Sequence, residues 1–358
     1  MGGRSKFCRA AAVAVAPTFC VFVTLLCVAC GGAPGGSATP AGTTGNTLPT
    51  AITFAANSVV YGVATGQSEN YDVNEMSSAG ANVQTVAANI PGTILLFALD
   101  PATSGQYVIA ADPTGTGSYG IYLSVNLTLT DAQTIVGPNY AYVTSLAVTE
   151  NGASVVFSAT DGTGISNLFV VPIGGGVATK LGLSDGSAVS PLDSDTIAYV
   201  APIGGSGNDQ LFTRSLSAGS AGSSTQLTSD VSNHALPAFS PDGTKLAFWE
   251  LNVGTNTLVV DTLATSTMLN MPNPAGIQPQ GEAFSADGTS IVIAGEVGTQ
   301  GNILTQPTDG SASPTAILSS ASLLGNYGIY WTDANGRAVG GIQGMSASSR
   351  LRKRRVVS

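Results

Sequence analysis

Between residues 48 and 342, short runs rich in Val, Ile, Leu, Tyr and Phe alternate with clusters of Gly, Ser, Thr, Asn and Asp. Runs of this length, bounded by turn residues and without a 3.6-residue apolar period, predict strands throughout. One phrase recurs. Residues 237–249 read PAFSPDGTKLAFW, residues 284–295 read FSADGTSIVIAG, and residues 148–159 read VTENGASVVFSA. An Asp-Gly or Asn-Gly pair between two β-rich runs is a hairpin signal.

Aligned on the residue before the turn, seven units start at Phe54, Leu99, Val148, Val189, Phe239, Phe284 and Trp331, spaced 41 to 50 residues apart. The fifth unit predicts an inner strand over 237–240, a second over 245–250, a third over 257–262 and an outer strand over 267–271. The sixth repeats the order at 282–285, 290–295, 302–306 and 315–318. Four short strands cannot bury both faces of their sheet, so neighbouring units must stack, as propeller blades do.

The run FSPDGTKLAF, with a third strand such as QLF and an outer strand ending in Gln226-Leu227-Thr228, resembles the TolB-type, WD-like propeller repeat of bacterial envelope proteins. The resemblance covers about residues 48–342 and is strongest in units five and six. It implies a ring of six or seven blades that serves as a protein-interaction platform. TolB itself also carries an N-terminal α/β domain, for which this chain has no room before Ile52. Unit seven offers only 328–332, the turn 333–336 and 338–342. Either it forms a seventh, two-stranded blade completed by residues 48–54, or six blades close and the hairpin covers the seam. The presence of both inner-strand elements favours seven.

Outside the repeat, residues 1–29 carry Arg4, Lys6 and Arg9 ahead of an apolar stretch from Ala10 to Ala29, the pattern of an export signal. Val28-Ala29-Cys30-Gly31 resembles a bacterial lipobox, whose cysteine is lipidated; the family usually has Leu where this chain has Cys27. The alternatives are an uncleaved signal anchor, since about 20 apolar residues span a bilayer, and ordinary signal cleavage. Cys8, Cys20, Cys27 and Cys30 are all the cysteines. Cleavage before Cys30 would leave one, lipidated, and no free thiol to oxidise outside the cytoplasm. Residues 30–48 then read as lipidated Cys30 and a Gly/Ser/Thr/Pro tether, 49–345 as the propeller and 346–358 as a basic, solvated tail.

Charge narrows the partners. All 21 Asp and Glu, but only Lys180, Arg214, Lys245 and Arg337 of the twelve Lys and Arg, lie in the propeller. Such a body repels phosphate backbones, so nucleic acid is not expected as a partner. The tail RLRKRR at 350–355 could touch anionic lipid at about 1 kcal/mol per basic residue, though a solvated tail is the simpler reading.

Candidate chemistry is sparse. His234 is the one histidine and is expected in a loop just before the fifth inner strand. Gly182-Leu183-Ser184-Asp185-Gly186 matches the G-x-S-x-G string of serine hydrolases, which needs a strand-to-helix elbow and a histidine partner. Zinc and haem have no evident ligand set. Calcium is left open through Asp193 and Asp195. Asp242 and Asp287 have a structural reading as turn residues. Trp249, Trp331 and the tyrosines suit either blade packing or a sugar or peptide groove.

The expectation is an all-β protein, a single propeller, anchored in the bacterial cell envelope through Cys30. It has no catalytic or metal residues and no resident cofactor, and binds an envelope protein or cell-wall component. The alternative is a propeller lyase or carbohydrate-active enzyme with an acidic, calcium-assisted site at the channel mouth. A mouth where three or more ionisable groups converge would favour the enzyme; Ser, Thr, Gly and apolar residues would favour the platform.

Overall fold

A computed structural model describes residues 51–65, 70–203, 207–217, 222–323 and 329–339. The signal segment, Cys30, the tether and the basic tail lie outside them. Among the described residues there is no α-helix, and the strands form six sheets.

The first blade contains β1 (Ser58–Ala64), β2 (Tyr71–Ser77) and β3 (Gln84–Ile90). The second contains β4 (Ile94–Leu99), β5 (Tyr107–Ala111), β6 (Tyr119–Ser124) and β7 (Gln133–Tyr140). The third contains β8 (Tyr142–Val148), β9 (Ser154–Thr160), β10 (Ser166–Pro172) and β11 (Thr179–Leu183). The fourth contains β12 (Gly186–Val189), β13 (Thr196–Pro202), β14 (Asp209–Ser215) and β15 (Ser224–Gln226). The fifth contains β16 (Asn233–Phe239), β17 (Lys245–Asn252), β18 (Thr255–Thr262) and β19 (Thr267–Asn270). The sixth contains β20 (Gln278–Phe284), β21 (Ser290–Val297), β22 (Gln300–Pro307) and β23 (Thr315–Ser320). A last hairpin, β24 (Ile329–Thr332) and β25 (Ala338–Val339), returns to the first blade, whose order is β25-β24-β1-β2-β3.

Each blade from the second to the sixth is an antiparallel meander whose first strand lies innermost. These strands touch in turn, β4 to β8, β12, β16, β20 and β24. The Phe97 and Tyr330 rings, 5.4 Å apart, close the circuit.

Strand periodicity explains why the sheets stack. Leu246 and Phe248 of β17 face blade four, where they meet Ala198 and Leu211. The alternate residues Ala247 and Trp249 face blade six and meet Ile291 and Ile293. Successive side chains on a strand point to opposite faces, so one strand feeds two seams. The six buried apolar clusters among the described residues fall one on each seam. Each buried Leu, Ile or Phe contributes roughly 1.5–3 kcal/mol.

The repeated turn is a chemical unit. Asp242 Oδ1 accepts from Ser240 Oγ at 2.6 Å, Thr244 N at 3.1 Å and Thr244 Oγ1 at 2.8 Å. Asp287 does the same with Ser285 and Thr289 at 2.6, 3.0 and 2.8 Å. Gly243 adopts φ +63, and a Cβ there would meet Leu192 Cβ of blade four at 2.6 Å, so both backbone shape and neighbour require glycine.

Of the two blade counts left open, the structure has six. Residues 51–55 form no strand, so the first blade lacks an inner strand of its own, and β24 takes that place. Val59 pairs with Trp331, Val60 with Tyr330 and Tyr61 with Ile329. Thr332 Oγ1 locks the joint, donating to Ala55 O at 2.7 Å and accepting from Ser58 N at 2.7 Å. Among the described residues the seventh unit contributes only β24 and β25.

Strand starts also differ from the pattern reading. β16 begins at Asn233, ahead of the expected 237–240, and β20 begins at Gln278, ahead of 282. In both a bulge lets the strand continue past a proline position: the β16–β17 register shifts between Ala235 and Ala238, with Leu236 at φ 57. His234 is therefore a strand residue and not a loop residue.

Candidate functional site

All inner strands run toward one face, where the Asp-Gly and related turns lie; the connections from each outer strand to the next blade lie on the other. On the turn face the ends of β4, β8, β12, β16 and β24 surround a cavity of about 80 Å³. Leu99, Leu146, Val148, Pro191, Phe239 and Tyr330 supply most of its wall, with Ser187 and Ser190. Tyr330 is tied to the carbonyl of Phe97 through its hydroxyl.

Glu150 is the one ionisable carboxylate on that wall. Burial pushes its carboxyl above the usual range, with Arg337 opposing and Asp333 adding to the shift. Arg337 is exposed and lines a neighbouring recess with Asp100 and Tyr107. Asp333 Oδ1 accepts from Asn335 N at 2.7 Å and Arg337 N at 2.9 Å, which commits it to its own turn. Three ionisable groups thus sense one another near this mouth, but one reaches the cavity.

The opposite face holds a different grouping. His234 is buried in β16, and its cross-strand partner is Glu250 of β17. Asp230, in the connection from blade four, stands beyond the about 2.7–2.9 Å of a tight ion pair: its Oδ2 is 3.5 Å from His234 Nε2. One ligand atom from each of the three residues falls within 4.8 Å of the others. His234 Nδ1 lies 3.0 Å from Asp209 O of blade four. A carbonyl only accepts, so Nδ1 carries a proton, and Nε2 points at the carboxylates. His234 Nε2 has no hydrogen-bond partner. Its ring packs 5.4 Å from that of Phe248. Burial pushes the Glu250 carboxyl up, Asp230 adds to this, and His234 opposes it. Around this cluster Val231 is 88% and Val253 85% exposed, and the hairpin tips of blades three and four expose Ile165 and Ile203.

The other residues singled out by sequence have structural duties. Ser184 is buried in a hydroxyl network at the seam of blades three and four, 2.8 Å from Ser158 Oγ, with Ser145 and Ser187 bonded at 2.9 Å. It has neither an elbow nor a histidine. Asp193 Oδ1 accepts from Asp195 N at 2.9 Å and Thr196 N at 2.5 Å, while Asp195 accepts from Ser215 Oγ and Ser217 N, each at 2.5 Å. Asp193 is spent on its own turn and Asp195 on the end of β14. Trp249 and Trp331 are buried in seams. Reasoning from sequence missed the company His234 keeps. The available signal was the spacing of Asp230 and His234; Glu250 joins them only through the strand register.

No protein-family model matches the chain, and neither does any curated protein sequence. Solved structures do. TolB from Acinetobacter baumannii superposes with TM-score 0.57 at 18% identity, over 80% of this chain and 66% of that one. A TolB described as putative from Agrobacterium tumefaciens gives 0.54 at 12%, over 80% and 98%. The GH74 enzyme of Niastella koreensis gives 0.51 at 15%, over 74% and 46%. This chain therefore has the propeller fold of TolB, spanning just under two thirds of the Acinetobacter protein. At these identities the likeness concerns fold, and the fold serves an enzyme as well.

Proposed function

We propose that this chain is an exported bacterial envelope protein, held to a membrane through lipidated Cys30, whose propeller is a non-catalytic platform for an envelope protein or cell-wall component. The observation that carries the platform reading is the channel mouth: an apolar and hydroxyl wall with one carboxylate offers shape for binding and too few polar groups to stabilise a charged intermediate. The exposed apolar tips Ile165, Ile203, Val231 and Val253 give the opposite face its contact chemistry. The anchor rests on the Val28-Ala29-Cys30-Gly31 junction and the tether behind it. Anchoring by two or three acyl chains follows from about 0.8 kcal/mol per buried CH₂.

The test is a pull-down from detergent-solubilised envelope with the full chain as bait. A partner retained by the wild type and released by Val231→Asp with Val253→Asp supports the platform. The enzyme reading has one observation in its favour, the raised Glu150 carboxyl beside Arg337. If the full chain turns over a polysaccharide substrate and Glu150→Gln abolishes the turnover, the platform reading falls. For the anchor, Cys30→Ser should abolish labelling by a palmitate analogue; continued labelling refutes it.

A further inference from the structure

We propose that Asp230, His234 and Glu250 bind one divalent transition-metal ion of the zinc class at the seam between blades four and five. The cluster is more than a pair of acids. His234 is 1% exposed, and its Nε2 is a buried polar atom without a hydrogen-bond partner, aimed at two carboxylates. Nε2 and the carboxylate oxygens can all donate electron pairs to one cation placed between them.

A protonated Nε2 would make only a loose ion pair across this gap. Charge-assisted N–H···O bonds run about 2.7–2.9 Å, and His234 Nε2 lies 3.5 Å from Asp230 Oδ2. A tetrahedral ion with bonds of about 2.0–2.2 Å to nitrogen and oxygen holds its ligands roughly 3.3–3.5 Å apart. The observed separation matches that edge. The Glu250 oxygen, within 4.8 Å of the other two ligand atoms, needs at most about 1.5 Å of movement, which a partly exposed side chain provides.

The back of the imidazole is built as metal-binding histidines require. Nδ1–H donates to the Asp209 carbonyl at 3.0 Å, which fixes the tautomer with Nε2 free to ligate. Strand pairing with β17 and the Phe248 ring hold the imidazole in place, while Asp230 has a side chain 47% exposed and can adjust. One imidazole and two carboxylates suit zinc or manganese and not calcium, which takes six to eight oxygens. Three protein ligands leave a fourth position open to solvent for water or another donor.

The experiment uses the full chain, with its cysteines alkylated and without a histidine tag, so that His234 is the only imidazole present. Zn²⁺ is titrated by calorimetry while the imidazole ¹⁵N resonances are followed, and Co²⁺ reports geometry by its visible spectrum. The expected result is one Zn²⁺ per chain, a shift of the Nε2 resonance, and no displacement by Mg²⁺ or Ca²⁺. Asp230→Asn and Glu250→Gln should each weaken binding at least about tenfold, the loss that removal of even an outer-shell partner causes. Asp230 is exposed, so its variant tests the site without disturbing the core. Unmoved His234 resonances under excess Zn²⁺, or an affinity that both variants leave unchanged, overturn the proposal.

Discussion

Glu282 shows at the scale of one residue how far burial can set chemistry. It is fully buried in β20, with Oε2 accepting from Trp249 Nε1 at 3.0 Å and Oε1 unpartnered. Burial pushes its carboxyl well above the usual range, with the Trp249 bond opposing. The folded pKa lies above the unfolded one, so the stabilisation it confers is complete below about pH 4.3 and lost as pH rises toward the folded pKa. The loss is about 1.4 kcal/mol per pH unit over that window. Glu282→Gln keeps an acceptor for Trp249 and removes the ionisation. Its melting temperature should equal the wild type's near pH 4 and exceed it progressively toward pH 8. Calorimetric melts at both ends of the range check this, and parallel pH profiles would contradict it.

At the scale of elements, the Asp-Gly hairpins carry prediction and lesson together. Asp242 and Asp287 are held below the ordinary carboxylate range, chiefly by the hydroxyls of Ser240 and Ser285. Their contribution is thus present above the unfolded carboxylate pKa and fades as pH falls through the lower folded one. Asp242→Ala or Asp287→Ala should lower stability by about 1 kcal/mol each. The two sit in different blades, so the double variant should add. Urea midpoints at neutral pH test both, and equal effects at pH 2 would refute the sign. These turns were legible because their chemistry is local: Ser, Asp, Gly and Thr within five residues specify one loop. The Asp230–His234–Glu250 cluster was not. Counting outward from the 241–244 turn, with Phe239 opposite Leu246 and Ala238 opposite Ala247, would place His234 opposite Leu251. The bulge at Leu236 slips the register by one and sets it opposite Glu250. A one-residue slip exchanges the faces of a strand, so an unforeseen bulge hides a site.

For the whole molecule, periodicity announced a ring because every unit repeats the need to cover both faces. It left the number of blades open because the first and last units look alike as strings; only pairing distinguishes a seventh blade from a borrowed inner strand. Closure is concentrated in few contacts. Thr332→Val would leave Ser58 N without its partner and Ala55 O with Ser58 Oγ alone, and should cost about 1–3 kcal/mol, read as a shift in the urea midpoint. Deleting 329–339 strips the inner strand from the first blade, uncovers β20 of the sixth, and exposes Val59, Tyr61 and Val292, which are buried at that seam. The deletion should abolish the single cooperative transition in circular dichroism. Ending the chain after Ser349 should leave the transition unchanged, because the basic tail carries no predicted strand.

The junction between β24 and β1 also sets how the molecule answers a pull. A chain tethered at its N-terminal side receives tension at residue 51, and the first structure to bear it is the stretch up to Asn57. That stretch is fastened by Asn57 N to Asp333 O at 2.9 Å, by Ile52 O to the Tyr107 hydroxyl, and by Ala55 to Thr332 and Glu75. Gly336 sits so close to the Phe54 carbonyl that a Cβ would come within 2.3 Å of it. Load entering there is shared between the closing hairpin, the first blade and the second before any strand is peeled. Under the anchored reading proposed above, the ring's seam would also be its mooring point, and strain along the tether would be spread around the circle instead of unzipping one edge.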